Sequence, residues 1–202
     1  MSSYFLPGVS RTATHDAPTA NEAGEAVAPP LDLRALFATY HDSIWRLLRR
    51  LGVPIAQLDD AAQEVFWVAA RKLEQIEPGK QHAFLYGVAL RVAANELRRQ
   101  ASTPARGAVE DLERLVDDSP TPEEQLEQAR ARQLLDAVLD RLPLELRAVL
   151  VLFELEGLDV RSIAEIEGIP IGTVGSRLRR AREEFSAIAR RLRARSGAQR
   201  KP

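Results

Sequence analysis

Ser176, Arg177, Arg179, Arg180 and Arg182 crowd into one short stretch near the C-terminal end of this 202-residue chain. Read as a helix at 100° per residue, the stretch sorts itself. Val174, Leu178, Ala181 and Phe185 recur at spacings of four, three and four and share one face. Ser176, Arg179, Arg180 and Glu183 fall opposite, with Arg177 and Arg182 flanking them. A guanidinium presents a rigid fork of donors that matches a phosphate or the edge of a guanine, so such a face suits duplex nucleic acid. A solvated charged face on a core helix is the plainer alternative. It accounts for the arginines less well, because an ordinary exposed face mixes signs and this segment is lopsided.

Two further constellations carry polar groups at helical spacing. In QLDDAAQEVFWVAARKL, Asp60, Gln63, Glu64 and Arg71 project from a helix whose other side is apolar. Paired carboxylates can do acid–base work. They can also be a helix cap at Asp59 or Asp60 followed by a solvated face, or a polar docking surface for a partner. The amino acids alone do not separate the last two. In HAFLYGVALRVAANELRRQ, the outward positions include Tyr86, Arg91, Asn95, Arg98 and Arg99. Aromatic, amide and guanidinium groups together suit melted or single-stranded nucleic acid, where bases stack and expose their edges. Taken alone, Phe84 and Tyr86 read as core or boundary residues and the arginines as partners of the helix C-terminus. Trp45 and Trp67 read more naturally as core or boundary residues than as a stacking platform.

Other chemistries find little to use. The chain has no cysteine, which excludes disulfides, thiolate zinc sites and cysteine nucleophiles. His15, His41 and His82 lack ligand spacing, so neither a metal nor a cofactor is expected. There is no nucleophile–base set and no phosphate loop, so an enzyme is the least favoured class. No apolar run approaches a membrane span, and the N-terminus lacks a basic start and an apolar signal core, which makes a cytoplasmic protein the default.

The elements that must position these groups are all helices, and no segment shows strand alternation. Residues 1–30 are rich in Ala, Pro, Thr, Gly and Glu without periodicity and read as a disordered extension. Leu33, Leu36, Phe37, Tyr40, Ile44, Leu47, Leu48 and Leu51 form a helical stripe that ends at Gly52 and Pro54. A second helix follows Asp59-Asp60, with Val65, Phe66, Ala69 and Leu73 on one side. Glu77-Pro78-Gly79 signals a turn, and a third helix spans about 83–99. Residues 102–120 form an acidic linker. Thr121-Pro122-Glu123-Glu124 has the form of a helix start for a helix running to Leu142, and residues 143–156 form another. Asp159 caps a short helix that Gly168 ends, and Ile169-Pro170 breaks the chain before the arginine-bearing helix. Ala164, four residues before Gly168, lets the two helices cross closely. This is the pattern of a helix-turn-helix, within an all-α chain of two helical domains.

Net charge is −1, so no global electrostatic argument for nucleic acid exists. The distribution is uneven. Residues 171–202 carry ten Arg/Lys against two Glu, whereas residues 102–124 carry seven Asp/Glu against two Arg. A basic end and an acidic middle point to polyanion binding at one place and a different contact at the other.

Taken together, these segments resemble the sigma-70 family of bacterial RNA polymerase initiation factors, in particular its small two-domain extracytoplasmic-function (ECF) members. LFATYHDSIWRLLRRL resembles the family's first helix. DDAAQEVFWVAARKL resembles its polymerase-docking helix, and AFLYGVALRVAANELRR its promoter-melting helix. LLDAVLDRLPLELRAVLVLFELEGL with SIAEIEGIPIGTVGSRLRRAREEF resembles its second, upstream-element-binding domain. The resemblance covers about residues 31–190. It implies a sigma-2-like domain at 31–101, the linker at 102–120, a sigma-4-like domain at 121–193 and a basic tail at 194–202. The chain departs from the family pattern with Phe84 in place of Trp, Arg91 in place of Asn, and Gly175 where relatives carry a longer side chain.

The resemblance also implies roles. Asp60, Gln63, Glu64 and Phe66 would dock on the polymerase clamp. Tyr86, Arg91, Asn95, Arg98 and Arg99, with the loop at 76–82, would capture a base flipped from the −10 element, with no covalent chemistry. Thr173, Ser176, Arg177, Arg179, Arg180 and Arg182 would meet the −35 element in the major groove, with Arg177 and Arg182 along the backbone. The acidic linker would thread toward the active-site and RNA-exit channels. Core polymerase and promoter DNA are the implied partners, with room for an anti-sigma factor and none for membrane insertion. A stand-alone helix-turn-helix regulator and a protein-only helical adaptor are the competing readings.

Overall fold

The computed structural model describes residues 31–102 and 122–198, all of whose regular structure is helical. The expected N-terminal extension, the acidic linker and the Thr121 cap lie outside the described residues.

The first bundle holds three helices: α1 (Leu33–Arg50), α2 (Ile55–Arg71) and α3 (Gln81–Ser102). Helix α1 starts at Asp32, whose side chain accepts from the Arg34 N–H, and stops where Gly52 takes a φ of +97°. Its Ile44, Leu47, Leu48 and Leu51 meet Leu58, Val65 and Ala69 of α2 and Leu85, Ala89 and Ala93 of α3, all fully buried. Phe37, expected inside, is 46% exposed at the rim, with its ring 4.9 Å from that of Phe66. Helix α2 begins at Ile55, directly after Pro54, rather than after Asp59-Asp60. Proline at the boundary has the extended backbone that opens a helix without a side-chain cap, so neither aspartate is needed there. Asp59 instead accepts a 3.0 Å hydrogen bond from the Trp45 indole. The turn at Glu77-Pro78-Gly79 forms as expected, with Gly79 at positive φ.

The second bundle comprises α4 (Pro122–Leu139), α5 (Leu144–Leu150), α6 (Val160–Glu167) and α7 (Ile171–Ala198). Helix α4 ends three residues earlier than the expected Leu142. Helix α5 runs into a π-helical turn, Val151–Leu155, closed by the Glu156 N–H bonding to the Val151 carbonyl. Inserted π turns locally re-aim a helix, and this one sets Glu156 at the edge of its bundle. Val149, Val151, Leu152, Ile163, Val174, Leu178 and Ala181 are buried together beneath α6 and α7. The two bundles also touch: α6 packs on α3, and Gly87 of α3 lies against the Ile166 backbone, where an added Cβ would come within 3.4 Å of the carbonyl oxygen.

Candidate nucleic-acid interface

The reading pair α6–α7 is built from local chemistry. Asp159 accepts a 2.8 Å bond from the Ser162 N–H. That backbone bond, seconded by the Ser162 side chain, holds the Asp159 carboxyl below the ordinary aspartate range. Gly168 takes φ +67°, the left-handed conformation that ends helices cheaply only in glycine. The Ile169 N–H reaches back 3.1 Å to the Ala164 carbonyl, closing the turn and aiming α7 across α6. On α7, Val174, Leu178 and Ala181 are buried and Phe185 is half-buried, as the spacing predicts.

The opposite face is open. Ser176, Arg179, Arg180 and Arg182 are exposed. Gly175 has nothing within 4 Å of an added Cβ, so a ligand backbone can approach closely there. Ser176 donates to the Thr173 carbonyl at 2.9 Å, which leaves its hydroxyl oxygen able to accept. The charge is less lopsided in three dimensions than along the chain. Arg179 pairs with Glu183 at 3.1 Å and Arg180 with Glu184 at 2.8 Å, both one helical turn apart. Exposed pairs of this kind are worth a few tenths of a kcal/mol, so an anionic ligand displaces them readily.

Arg177 and Arg182 are held differently from their expected place along a DNA backbone. Arg177 is half-buried and bonds Glu167, at the end of α6, at 2.9 Å. Burial raises the Glu167 carboxyl, and the charge and hydrogen bond of Arg177 oppose that shift. This pair is a strut across the helix-turn-helix. Arg182 bonds Glu154 at 2.7 Å and sits 5.2 Å from the Phe153 ring centroid, which ties α7 to the π turn. Thr173 is half-buried at the start of α7.

The first bundle divides its predicted residues. On α2, Asp60, Gln63 and Glu64 are exposed on one face, whereas Phe66 is 6% exposed and turned to the core against Phe37. Trp67, 65% exposed, takes the place expected of Phe66. It was foreseeable: positions 60, 64, 67 and 71 are one helical stripe. On α3, Arg91, Asn95, Arg98 and Arg99 are exposed. Asn95 Oδ1 accepts from Arg98 at 2.5 Å, and Arg99 pairs with the buried Glu96. A shallow cleft of about 360 Å³ lies among Glu64, Val92, Asn95, Glu96, Arg98 and Arg99.

Tyr86 departs from its expected place. It is 2% exposed and its hydroxyl donates to Glu156 Oε2 at 2.7 Å. Burial first, and the Glu156 charge second, push its phenol far above the ordinary tyrosine range, so it remains a donor. The His82 ring lies 3.9 Å from the Tyr86 ring, and burial lowers its basicity. Among the described residues, no cluster of His, Asp or Glu could hold a metal, and no helix is long and apolar enough to cross a membrane.

Family profiles described as "Sigma-70 region 2" and "Sigma-70, region 4" match residues 36–103 and 132–185. Over 161 residues the chain is 31% identical to the ECF RNA polymerase sigma factor SigE of Mycolicibacterium smegmatis. That match takes in 80% of this chain but only 62% of the relative, so the chain spans less than two thirds of it. It is 33% identical to the ECF RNA polymerase sigma-E factor of Haemophilus influenzae over 73% of this chain and 82% of that one. The corresponding Escherichia coli protein is 31% identical, with coverage of 73% and 81%. Among solved structures, CnrH in complex with the cytosolic domain of CnrY resembles the fold with a TM-score of 0.57 and 24% identity, covering 77% of this chain and 86% of that one. The Bartonella quintana sigma factor RpoE, solved with the anti-sigma factor NepR, does so with a TM-score of 0.61 and 18% identity, covering 79% and 97%. Two profiles met in order, and a third of residues shared with a sigma-E factor over four-fifths of its length, establish that the chain belongs to the ECF group of the sigma-70 family of RNA polymerase sigma factors.

Proposed function

We propose that the chain is a non-catalytic, cytoplasmic specificity subunit that binds core RNA polymerase and directs initiation at promoters carrying −10 and −35 elements. One observation carries the reading: a single chain holds an exposed, arginine-lined helix-turn-helix and a separate Asn/Arg cleft, beside a third, polar face on α2. The helix-turn-helix suits a major groove. The cleft between α2 and α3, with Asn95 and Arg98 at its edge, suits the edges of an unstacked base. Exposed Asp60, Gln63 and Glu64, with Trp67 among them, have the make-up of a protein-docking surface with an aromatic anchor. The division at 31–101, 102–120 and 121–193 follows from assigning one task to each bundle and a tether to the residues between. Core polymerase and promoter DNA are then the partners. The complex of the Bartonella quintana sigma factor RpoE with the anti-sigma factor NepR supports an anti-sigma factor as a third.

Two measurements test this together. The purified chain should bind core polymerase, and the complex should give run-off transcripts from a promoter library that core enzyme alone does not. A tight, sequence-specific footprint by the chain alone, with no polymerase affinity, would overturn the reading in favour of a stand-alone regulator.

A further inference from the structure

Several arginines of this chain are occupied by internal acceptors. Arg50 donates to Glu156 at 2.6 Å. Buried Arg147 donates from Nη1 to the Leu51 carbonyl at 2.7 Å, across a space that a Cβ on Gly52 would fill. The first half of α7 follows the same habit: Arg177 is held by Glu167, Arg179 by Glu183, Arg180 by Glu184 and Arg182 by Glu154. Every cation of the reading segment therefore has its carboxylate. The second half differs. Arg190, Arg191, Arg193 and Arg195 are all exposed, and among the described residues none of them has an ion-pair or hydrogen-bond partner. No Asp or Glu occurs in the chain after Glu184. The positive potential of the helix is concentrated behind its reading face.

This second half is anchored. Ile188 and Leu192 are half-buried and Ala189 is buried, so the inward stripe of Ala181 and Phe185 continues for two more turns, and α4 packs along α7. Eleven residues, about three turns, separate the pair Arg179-Arg180 from the pair Arg190-Arg191. The two pairs consequently point within about 20° of each other and stand about 16 Å apart along the axis. The helix dipole does not account for the second pair. Its favourable effect on cations fades beyond the last turn, and Arg190 and Arg191 stand two turns before the end of α7 at Ala198. The spacing does suit a duplex. A major groove is about 12 Å wide, so a helix crossing it with one guanidinium pair against the bases carries the other out to the phosphates of the groove wall. Other groove-reading helices meet the backbone with their C-terminal ends in this way.

We infer that Arg190 and Arg191 form a second DNA-contact site, a clamp on backbone phosphates flanking the −35 element, which supplies sequence-independent affinity while the first half of α7 reads bases. Arg179 and Arg180 must release Glu183 and Glu184 before they meet DNA, whereas Arg190 and Arg191 release only water. An exposed, unpaired cation also attracts a polyanion from further away, so the clamp engages first and the reader settles second. The inference deepens the proposed function and rests on it for the −35 element, but a phosphate contact is measurable on any duplex, and the two can fail separately.

The test titrates the full chain against two fluorescent duplexes of equal length, one carrying a −35 element selected from a promoter library and one unrelated. Arg190→Gln with Arg191→Gln removes both charges at exposed positions and keeps helix propensity; unchanged circular dichroism verifies the fold. Each phosphate contact adds about 0.9 to the slope of log affinity against log salt. The double variant should show a slope smaller by about 1.8 on both duplexes alike, with a loss of affinity that shrinks roughly tenfold between 50 and 200 mM salt. Arg190→Lys with Arg191→Lys keeps the charge and should restore the slope. Replacing flanking phosphates one at a time with uncharged methylphosphonates should weaken the wild type at the contacted positions and leave the double variant unchanged there. A wild-type chain with no duplex affinity at 50 mM salt, an unchanged slope in the folded double variant, or equal methylphosphonate losses in both proteins would overturn the clamp. A loss seen only when core polymerase is present would mark an acidic protein surface as the partner and overturn it as well. A chain that shows the slope change yet never binds core polymerase would leave the clamp standing and remove the proposed function.

Discussion

Arg180 offers the sharpest test of the reading face, because the structure gives it a partner that must be subtracted. Its Nε bonds Glu184 at 2.8 Å, with two thirds of the arginine side chain exposed. Such a pair contributes about 0.3–0.5 kcal/mol. A bidentate contact with a guanine edge is worth roughly 1–3 kcal/mol of discrimination. The DNA contact therefore wins and the intrahelical pair is surrendered on binding. Two outcomes follow. Arg180→Ala should weaken binding of the polymerase complex to a −35 duplex by about 1–3 kcal/mol, less the few tenths no longer lost in breaking the pair. Glu184→Gln frees the arginine beforehand and should strengthen binding by about twofold, the equivalent of 0.3–0.5 kcal/mol. A promoter-library selection at several salt concentrations separates base from phosphate. Relaxed preference at one position marks a base contact. A uniform loss with a salt slope smaller by about one unit marks a phosphate contact. If Arg180→Ala changes neither sequence preference nor salt dependence, α7 presents only a solvated surface and the groove-reading argument is wrong.

The remaining expectations can be checked more briefly. Trp67→Ala should weaken core polymerase binding by about 2 kcal/mol or more, as loss of an aromatic anchor does, and reversing Asp60 and Glu64 should abolish it with helicity intact; equilibrium titration against core enzyme reads both, and unchanged affinity removes the α2 assignment. Asn95→Ala should impair open-complex formation on duplex promoters more than binding to a fork already melted at −10, and equal losses would mean that α3 only positions the duplex. Gly52→Ala should cost about 3 kcal/mol in urea denaturation, combining left-handed strain with displacement of the Arg147 hydrogen bond, and a cycle with Arg147→Ala should show the two effects to be non-additive. Because hydrogen bonding lowers the folded Asp159 carboxyl, its capping contribution is full above the ordinary aspartate range and fades as pH falls through the lowered value; Asp159→Asn should flatten that acid limb in pH-dependent melts.

What could be read from the residues was whatever is decided locally. Asp159, Gly168 and the Val174-Leu178-Ala181 spacing act within a turn or two, so the helix-turn-helix was legible in full. Helix α2 starts earlier than the Asp59-Asp60 pair suggests, because the extended backbone of Pro54 suffices to open it without a side-chain cap. Phe66 and Trp67 are adjacent and both apolar. The stripes decide between them: Phe66 falls with Val65 and Ala69 on the buried side, and Trp67 with 60, 64 and 71 on the exposed one. Tyr86 shares a helical stripe with Ala89 and Ala93, all buried, so its core reading is the local one; only the partner of its hydroxyl, Glu156, 70 residues away, is beyond the reach of local spacing. Arg177 likewise looked like part of a basic face until Glu167 was brought against it by the turn between them.

The bond from Arg147 to the Leu51 carbonyl also has a history during synthesis. Its two ends are 96 residues apart, which a ribosome covers in about 5–20 s at 5–20 residues per second. Three-helix bundles rich in local contacts form in far less time than that. Each nascent chain therefore passes through an interval in which its first bundle is complete, the end of α1 is capped only by water, and Tyr86 is uncovered. A partner encountered in that interval meets α2 and α3 before α6 has packed on α3, whereas one encountered later meets the two bundles already in contact. Newly made and complete copies of one sequence therefore differ in how much of α3 they present, and translation rate across the second half sets how long the early form lasts.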